Sequence, residues 1–119
     1  MTLSQVILHI TTSAAFKAAD PALGYLDPSL EAEGFIHCST PDQVLIPANE
    51  RFAGRTDLVL LVINPEALAS KLIYEDCYES GMAFPHIYGP IDVGAVTRLV
   101  NFPCSADGTF ELPAAIAMS

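Results

Sequence analysis

The run Leu58-Val59-Leu60-Leu61-Val62-Ile63, bounded by Asp57 and Asn64, is the feature that most restricts the fold. Side chains alternate faces along a strand, so an unbroken apolar run predicts a strand buried on both faces. Its length suits a strand and falls far short of a membrane span. Residues 58–63 are therefore placed at the centre of a sheet, and the other segments must supply its neighbours.

Extended neighbours are predicted at residues 6–11, rich in β-branched and apolar side chains, and at 72–76, 96–102 and 109–112. A shorter one is expected at Tyr25-Leu26, followed by a turn at Asp27-Pro28 and by the solvated acids Glu31 and Glu33. Thr12 can cap a helix over 13–19. Thr40-Pro41-Asp42-Gln43 reads as a capping box that starts a helix over 41–51, in which the interior Pro47 predicts a kink or an early stop. Asn64-Pro65-Glu66 repeats the cap, proline, acid order and begins a short helix to residue 70. Residues 77–83 read as a polar loop. Phe84-Pro85-His86-Ile87-Tyr88-Gly89-Pro90 is expected as a rigid extended segment at a sheet edge or over a cleft, because proline cannot donate within a central strand. The alanine-rich tail is expected to fray. The pattern is that of one α+β domain over 1–119, with a core at about 6–112.

Five basic residues against fourteen acidic ones give a net charge of -9, which repels a nucleic-acid backbone and argues against a polynucleotide partner. A hydrophobic share of 51% with 16% charged residues belongs to a packed globule. Cys38, Cys77 and Cys104 are odd in number and widely spaced, which fits neither a disulfide framework nor a thiolate zinc site. With no basic start leading into an apolar core, the expectation is a cytoplasmic protein without a membrane segment.

All three histidines, His9, His37 and His86, sit in apolar extended sequence rather than polar loops. If they converge, Phe35, Phe84 and Tyr88 line the cluster, and Glu75, Asp76 and Glu79 are the acids nearest His86 in sequence. Phe35 and His37 share one face of their strand, Ile36 and Cys38 the other, so Cys38 reads as a core residue rather than a nucleophile. Ser39 and Thr40 either cap the following helix or face an anion at its N-terminus. No His-x-His or His-x-x-x-His pair marks a metal site, and no glycine-rich phosphate loop is present.

At His9-Ile10-Thr11, Gly34-Phe35-Ile36-His37-Cys38-Ser39-Thr40 and Phe84-Pro85-His86-Ile87-Tyr88-Gly89-Pro90, the chain resembles a small bacterial family known as domain of unknown function 952, over about residues 6–102. That family in turn resembles the ADP-ribosyltransferase-like group, which includes RNA 2'-phosphotransferases that use NAD. The resemblance implies a small split antiparallel sheet with short helices around an NAD cleft. It implies that His9 and Thr11 contact the ribose and amide of the nicotinamide half, and that His37 and Ser39 correspond to the histidine-x-serine of the phosphotransferase branch. His86 stands where the transferases carry a catalytic glutamate, and a neutral imidazole brings no negative charge to an oxocarbenium-like transition state. Only Arg51, Arg55 and Arg98 are available where the phosphotransferase branch uses several arginines.

The expected site is His9, His37 and His86 as catalytic groups, with Thr11, Phe35, Ser39, Thr40, Glu75 and Tyr88 around the ligand. NAD is the candidate cofactor, a small nucleotide or metabolite the expected partner, and no resident metal is expected. The competing readings are a non-enzymatic metabolite-binding module and a histidine-ligated metal domain.

Overall fold

The computed structural model describes residues 6–76 and 79–117. Strand β3 (Leu58–Ile63) is buried along its whole length and lies between β1 (Ile7–Thr12) and β6 (Val96–Asn101), antiparallel to both. Its side chains divide by alternation. Val59, Leu61 and Ile63 pack with Ile36, Cys38 and Ile87 on one face. Leu58, Leu60 and Val62 pack with Val44, Ala48, Phe102 and Phe110 on the other. Each fully buried aliphatic side chain contributes roughly 1.5–3 kcal/mol, so this one strand anchors both halves of the core.

A second antiparallel sheet has the order β2 (Ile36–His37), β5 (Phe84–Tyr88), β4 (Lys71–Glu75). β5 is thus its central strand, which corrects the expectation of an edge segment. The proline is accommodated because Pro85 gives its carbonyl to the Cys38 N–H at 3.1 Å, and the β2 ladder ends where proline has no N–H to return. Among the described residues one backbone bridge links the two sheets. Leu8 N–H donates to the Ser39 carbonyl at 2.7 Å and Ser39 N–H to the Leu8 carbonyl at 2.8 Å, joining β1 to the end of β2.

The helices are short and several begin elsewhere than expected. α1 (Ser13–Lys17) is capped by Thr12, whose hydroxyl accepts from the Ala15 N–H. Asp27-Pro28 opens α2 (Pro28–Glu33) rather than a turn, with Asp27 as N-cap and proline at the first helical position. The extended pairing before it is limited to one bridge, Tyr25 with Ile91. The expected capping box forms in part: the Gln43 carboxamide accepts from the Thr40 N–H, but the Thr40 hydroxyl bonds Asp42 and residues 41–44 form turns. α3 (Leu45–Arg51) therefore starts late, which puts Pro47 in its first turn, where no intrahelical donor is needed. The helix runs on past Pro47 to Arg51, so the early stop does not occur. The Asn64 cap holds only a 3-10 turn, Pro65–Ala67.

No strand forms at 109–112. Phe110 instead stacks on Phe102 with ring centroids 4.7 Å apart, and its N–H is taken by the Asn49 side chain at 2.9 Å. The tail forms α4 (Ala114–Ala117), held by the buried Ile116 rather than frayed. Cys77 lies outside the described residues. Among the described residues no helix is long and apolar enough to cross a membrane.

Two glycines at the same backbone angle separate strain from collision. Gly34 ends α2 at φ 89° with open space where a Cβ would stand, whereas a Cβ on Gly24, also at φ 89°, would lie 2.8 Å from the Ile91 carbonyl oxygen. Gly34→Ala is expected to cost about 1 kcal/mol of left-handed strain, and Gly24→Ala about 2 kcal/mol or more because backbone must move as well. Urea unfolding midpoints at unchanged slope check the ranking.

Candidate functional site

His9 is buried in β1, and both its ring nitrogens face acceptors. Nδ1–H donates to the backbone carbonyl of His37 at 2.6 Å, and Nε2 meets Asp27 Oδ1 at 3.1 Å. Asp27 also accepts from the Tyr25 hydroxyl at 2.8 Å and from the Ser29 hydroxyl and N–H at 2.7 and 3.1 Å. Tyr25 in turn receives the Thr11 hydroxyl at 2.9 Å. Burial by itself favours the protonated form of Asp27, but the His9 hydrogen bond and charge together with the Ser29 donors outweigh it and hold the carboxyl well below the usual range. Burial pushes the Tyr25 phenol and the Cys38 thiol upward, so neither is a ready base or nucleophile.

His37 and His86 face each other across the β2–β5 pair, at centroids 5.5 Å apart and edge to face. The alternation expected around them holds, since Phe35 meets His37 at 4.9 Å while Ile36 and Cys38 enter the core. Phe35 also stacks on His86 at 4.1 Å, nearly parallel. Each imidazole has its own carboxylate. His37 Nε2 lies 2.9 Å from Glu33 Oε2, and His86 Nδ1 lies 2.9 Å from Glu75 Oε1, which also receives the Tyr88 hydroxyl. Glu33 is thus not merely solvated: the hydrogen bond from His37 lowers the pKa of its carboxyl.

These groups open on one cleft of about 790 Å³. His9, His37 and His86 all line it, with Thr11 and Ser39 beside them. Phe35, Thr40, Glu75 and Tyr88 do not; they stand behind the wall, Phe35 and Glu75 against His86 and Thr40 on Asp42. The expected set lacks the charged lining residues Asp27, Glu33, Glu50, Arg51 and Arg55. Two of the chain's five basic side chains thus line the cleft that the histidines line. Arg55 is clamped by Asp57 through two bonds of 2.9 and 2.7 Å. Apolar side chains line the cleft as well: Ile46, Pro47, Phe52, Met82 and Phe84. Asp27 carried a signal that was readable, because Asp27-Pro28 followed by Glu31 repeats the pattern at Asn64-Pro65-Glu66. Glu33 carried none, since its partner lies across a helix end. Among the described residues no group of three His, Cys, Asp or Glu side chains is placed to hold a metal ion.

The family model for proteins of unknown function DUF952 matches residues 10–99. The chain belongs to this family. It is similar to protein CC0527 from Caulobacter crescentus, whose crystal structure has 34% identity, a TM-score of 0.81, and coverage of 94% of this chain and 98% of that one. The solution NMR structure of CC0527 gives 33% identity and a TM-score of 0.77, covering 96% and 98%. No curated protein matches the chain. Within the DUF952 match fall all the residues of the cleft just described except Leu8 and His9, which immediately precede it.

The depressed pKa of Asp27 makes a signed prediction. A carboxyl whose folded pKa lies below its ordinary value of 3.8 adds stability that is complete above that pH and is lost progressively below it, as pH falls through the folded value. Asp27→Asn is expected to cost about 2 kcal/mol at neutral pH, with the gap to the parent protein closing below pH 3.8. Urea titrations at neutral and acid pH check this; a gap independent of pH assigns the loss to shape rather than charge.

Proposed function

We propose that the protein is an ADP-ribosyltransferase-like acid–base enzyme that takes NAD or a related small nucleotide in the histidine cleft. The observation that carries the reading is the convergence of three imidazoles, each held by its own carboxylate, on one cleft with Arg51 and Arg55. A volume of about 790 Å³ is that of a small-molecule site. The apolar lining suits a flat base or pyridine ring, and the arginines suit a phosphate, so the residues present fit such a molecule at both ends. When bound, NAD would supply a glycosidic bond activated for cleavage.

The chain's own groups divide the work. His9 spends both nitrogens on Asp27 and the His37 carbonyl, so its part is to position β2 and the cleft wall. His37 is the acid–base group, with a partly exposed ring lining the cleft and the Glu33 carboxylate on its Nε2. Arg51 and Arg55 bind the anion. A binding module without turnover is the second reading, and one observation favours it: Glu75, the acid nearest His86, is turned to His86 and Tyr88 and does not line the cleft.

Titration calorimetry with NAD and ADP-ribose tests the reading. Saturable binding is expected, weakened at least tenfold by Arg51→Ala, and nicotinamide release is expected to fall about 10²–10⁴-fold in His37→Ala. Saturable binding with no release over long incubation selects the binding module, and no saturation with either ligand at millimolar concentration overturns both.

A further inference from the structure

Helix α2 and its cap residue line the cleft through Asp27, Pro28, Ser29 and Glu33. The helix has 6 residues and none of them is buried, and a helix so short has little stability of its own. An imidazole holds it at each end. His9 meets the cap residue Asp27 at 3.1 Å, and His37 meets the last residue, Glu33, at 2.9 Å. Between them, Leu30 packs against the core.

The proton count at the first of these contacts follows from its partners. The carbonyl of His37 only accepts, so His9 Nδ1 carries a hydrogen toward it at 2.6 Å. One further proton lies between His9 Nε2 and Asp27 Oδ1. Asp27 Oδ2 already receives the Ser29 N–H and hydroxyl, and Oδ1 receives the Tyr25 hydroxyl, whose oxygen accepts in turn from Thr11. Three donors on one carboxyl favour its ionised form, which puts the shared proton on Nε2 and makes His9 an imidazolium at 4% exposure. The lowered pKa of Asp27 agrees with that assignment. The titratable groups facing His9 are Asp27, Tyr25 at a ring-centroid distance of 5.4 Å, and His37 and Cys38 on the segment it bonds. Leu61, opposite it on β3, brings none; α1 brings Lys17, and Glu33, Glu50, Arg51 and Arg55 line the same cleft.

We infer that α2 is a strap latched against the cleft by the second proton of His9, and that removing this proton opens the wall the strap forms. The neutral ring keeps its Nδ1 hydrogen on the His37 carbonyl and turns a lone pair on Nε2 toward the Asp27 carboxylate, so an attraction becomes a repulsion between two acceptors. Asp27 then parts from β1, and Glu33 leaves His37 because so short a helix moves as one piece. The proton thereby regulates the site. Its consequence for turnover rests on the proposed acid–base reading, since the pairing of His37 with Glu33 is what the latch maintains.

Nitrogen-detected NMR of the full chain without ligand reads both halves of the inference. At neutral pH the nitrogen shifts of His9 are expected to be those of a ring protonated at both positions. As the pH is raised, the Nε2 proton is expected to be lost, with the amides of Ser29 and Gly34, at the two ends of α2, and the ring signals of His37 moving in the same step while the amides of β6 stay in place. In Asp27→Asn a ring protonated on Nδ1 alone is expected at neutral pH, and the common step is expected to vanish. A parent protein with one ring proton on His9 at neutral pH, or α2 amides that ignore the His9 step, overturns the inference whether or not the variant folds. NAD added at neutral pH separates the two readings. Absence of binding with the expected proton series removes the nucleotide reading and leaves the latch, whereas binding to a protein with neutral His9 removes the latch and leaves the nucleotide reading.

Discussion

The hydrogen bond from His9 Nδ1 to the backbone carbonyl of His37 is the contact on which the site depends. It runs beside the backbone bridge that joins the two sheets, Leu8 to Ser39, and so ties a side chain of one sheet to the backbone of the other. The same imidazole meets Asp27, which caps α2, and α2 ends at Glu33, the partner of His37. One buried ring thereby sets the strand that carries His37 and the helix that carries its carboxylate. Burying so polar a group is tolerated because each nitrogen has an acceptor; among the described residues no buried side-chain nitrogen or oxygen lacks a partner.

The cleft mixes charges: Asp27, Glu33 and Glu50 line it beside Arg51 and Arg55. The chain carries a net charge of -9, yet two of its five basic side chains and all three histidines gather in one place. Each imidazole has a ring nitrogen satisfied by a carboxylate of its own.

Much of the framework was legible from residue pattern. The apolar run at 58–63, the β-branched segment at 6–11 and the Thr12 cap each appear where alternation and capping chemistry put them. The misreadings share a cause. Pro85 was assigned to an edge because a lone proline cannot join two ladders, but β2 is so short that only one carbonyl had to be paired on that side. Pro47 looked like a breaker because the helix start was set by the Thr40 cap, whose hydroxyl turned instead to Asp42. Thr109 to Leu112 suits a strand by composition, but Phe110 stacks on Phe102 and its N–H goes to the Asn49 side chain instead of a ladder.

For the site, the sequence by itself determined that three imidazoles would lie in semi-buried extended segments, since strand alternation forces a polar side chain in apolar sequence to one face. It also determined that Phe35 would flank His37 and that Cys38 would join the core. Only the tertiary structure decided which acids the histidines meet, that Arg51 and Arg55 reach the same cleft, and that Phe35 and Glu75 support His86 from behind. Those pairings join residues that are remote along the chain or lie across a helix end. Local periodicity can orient a side chain, but only the closure of the two sheets on one another brings such groups within hydrogen-bonding distance.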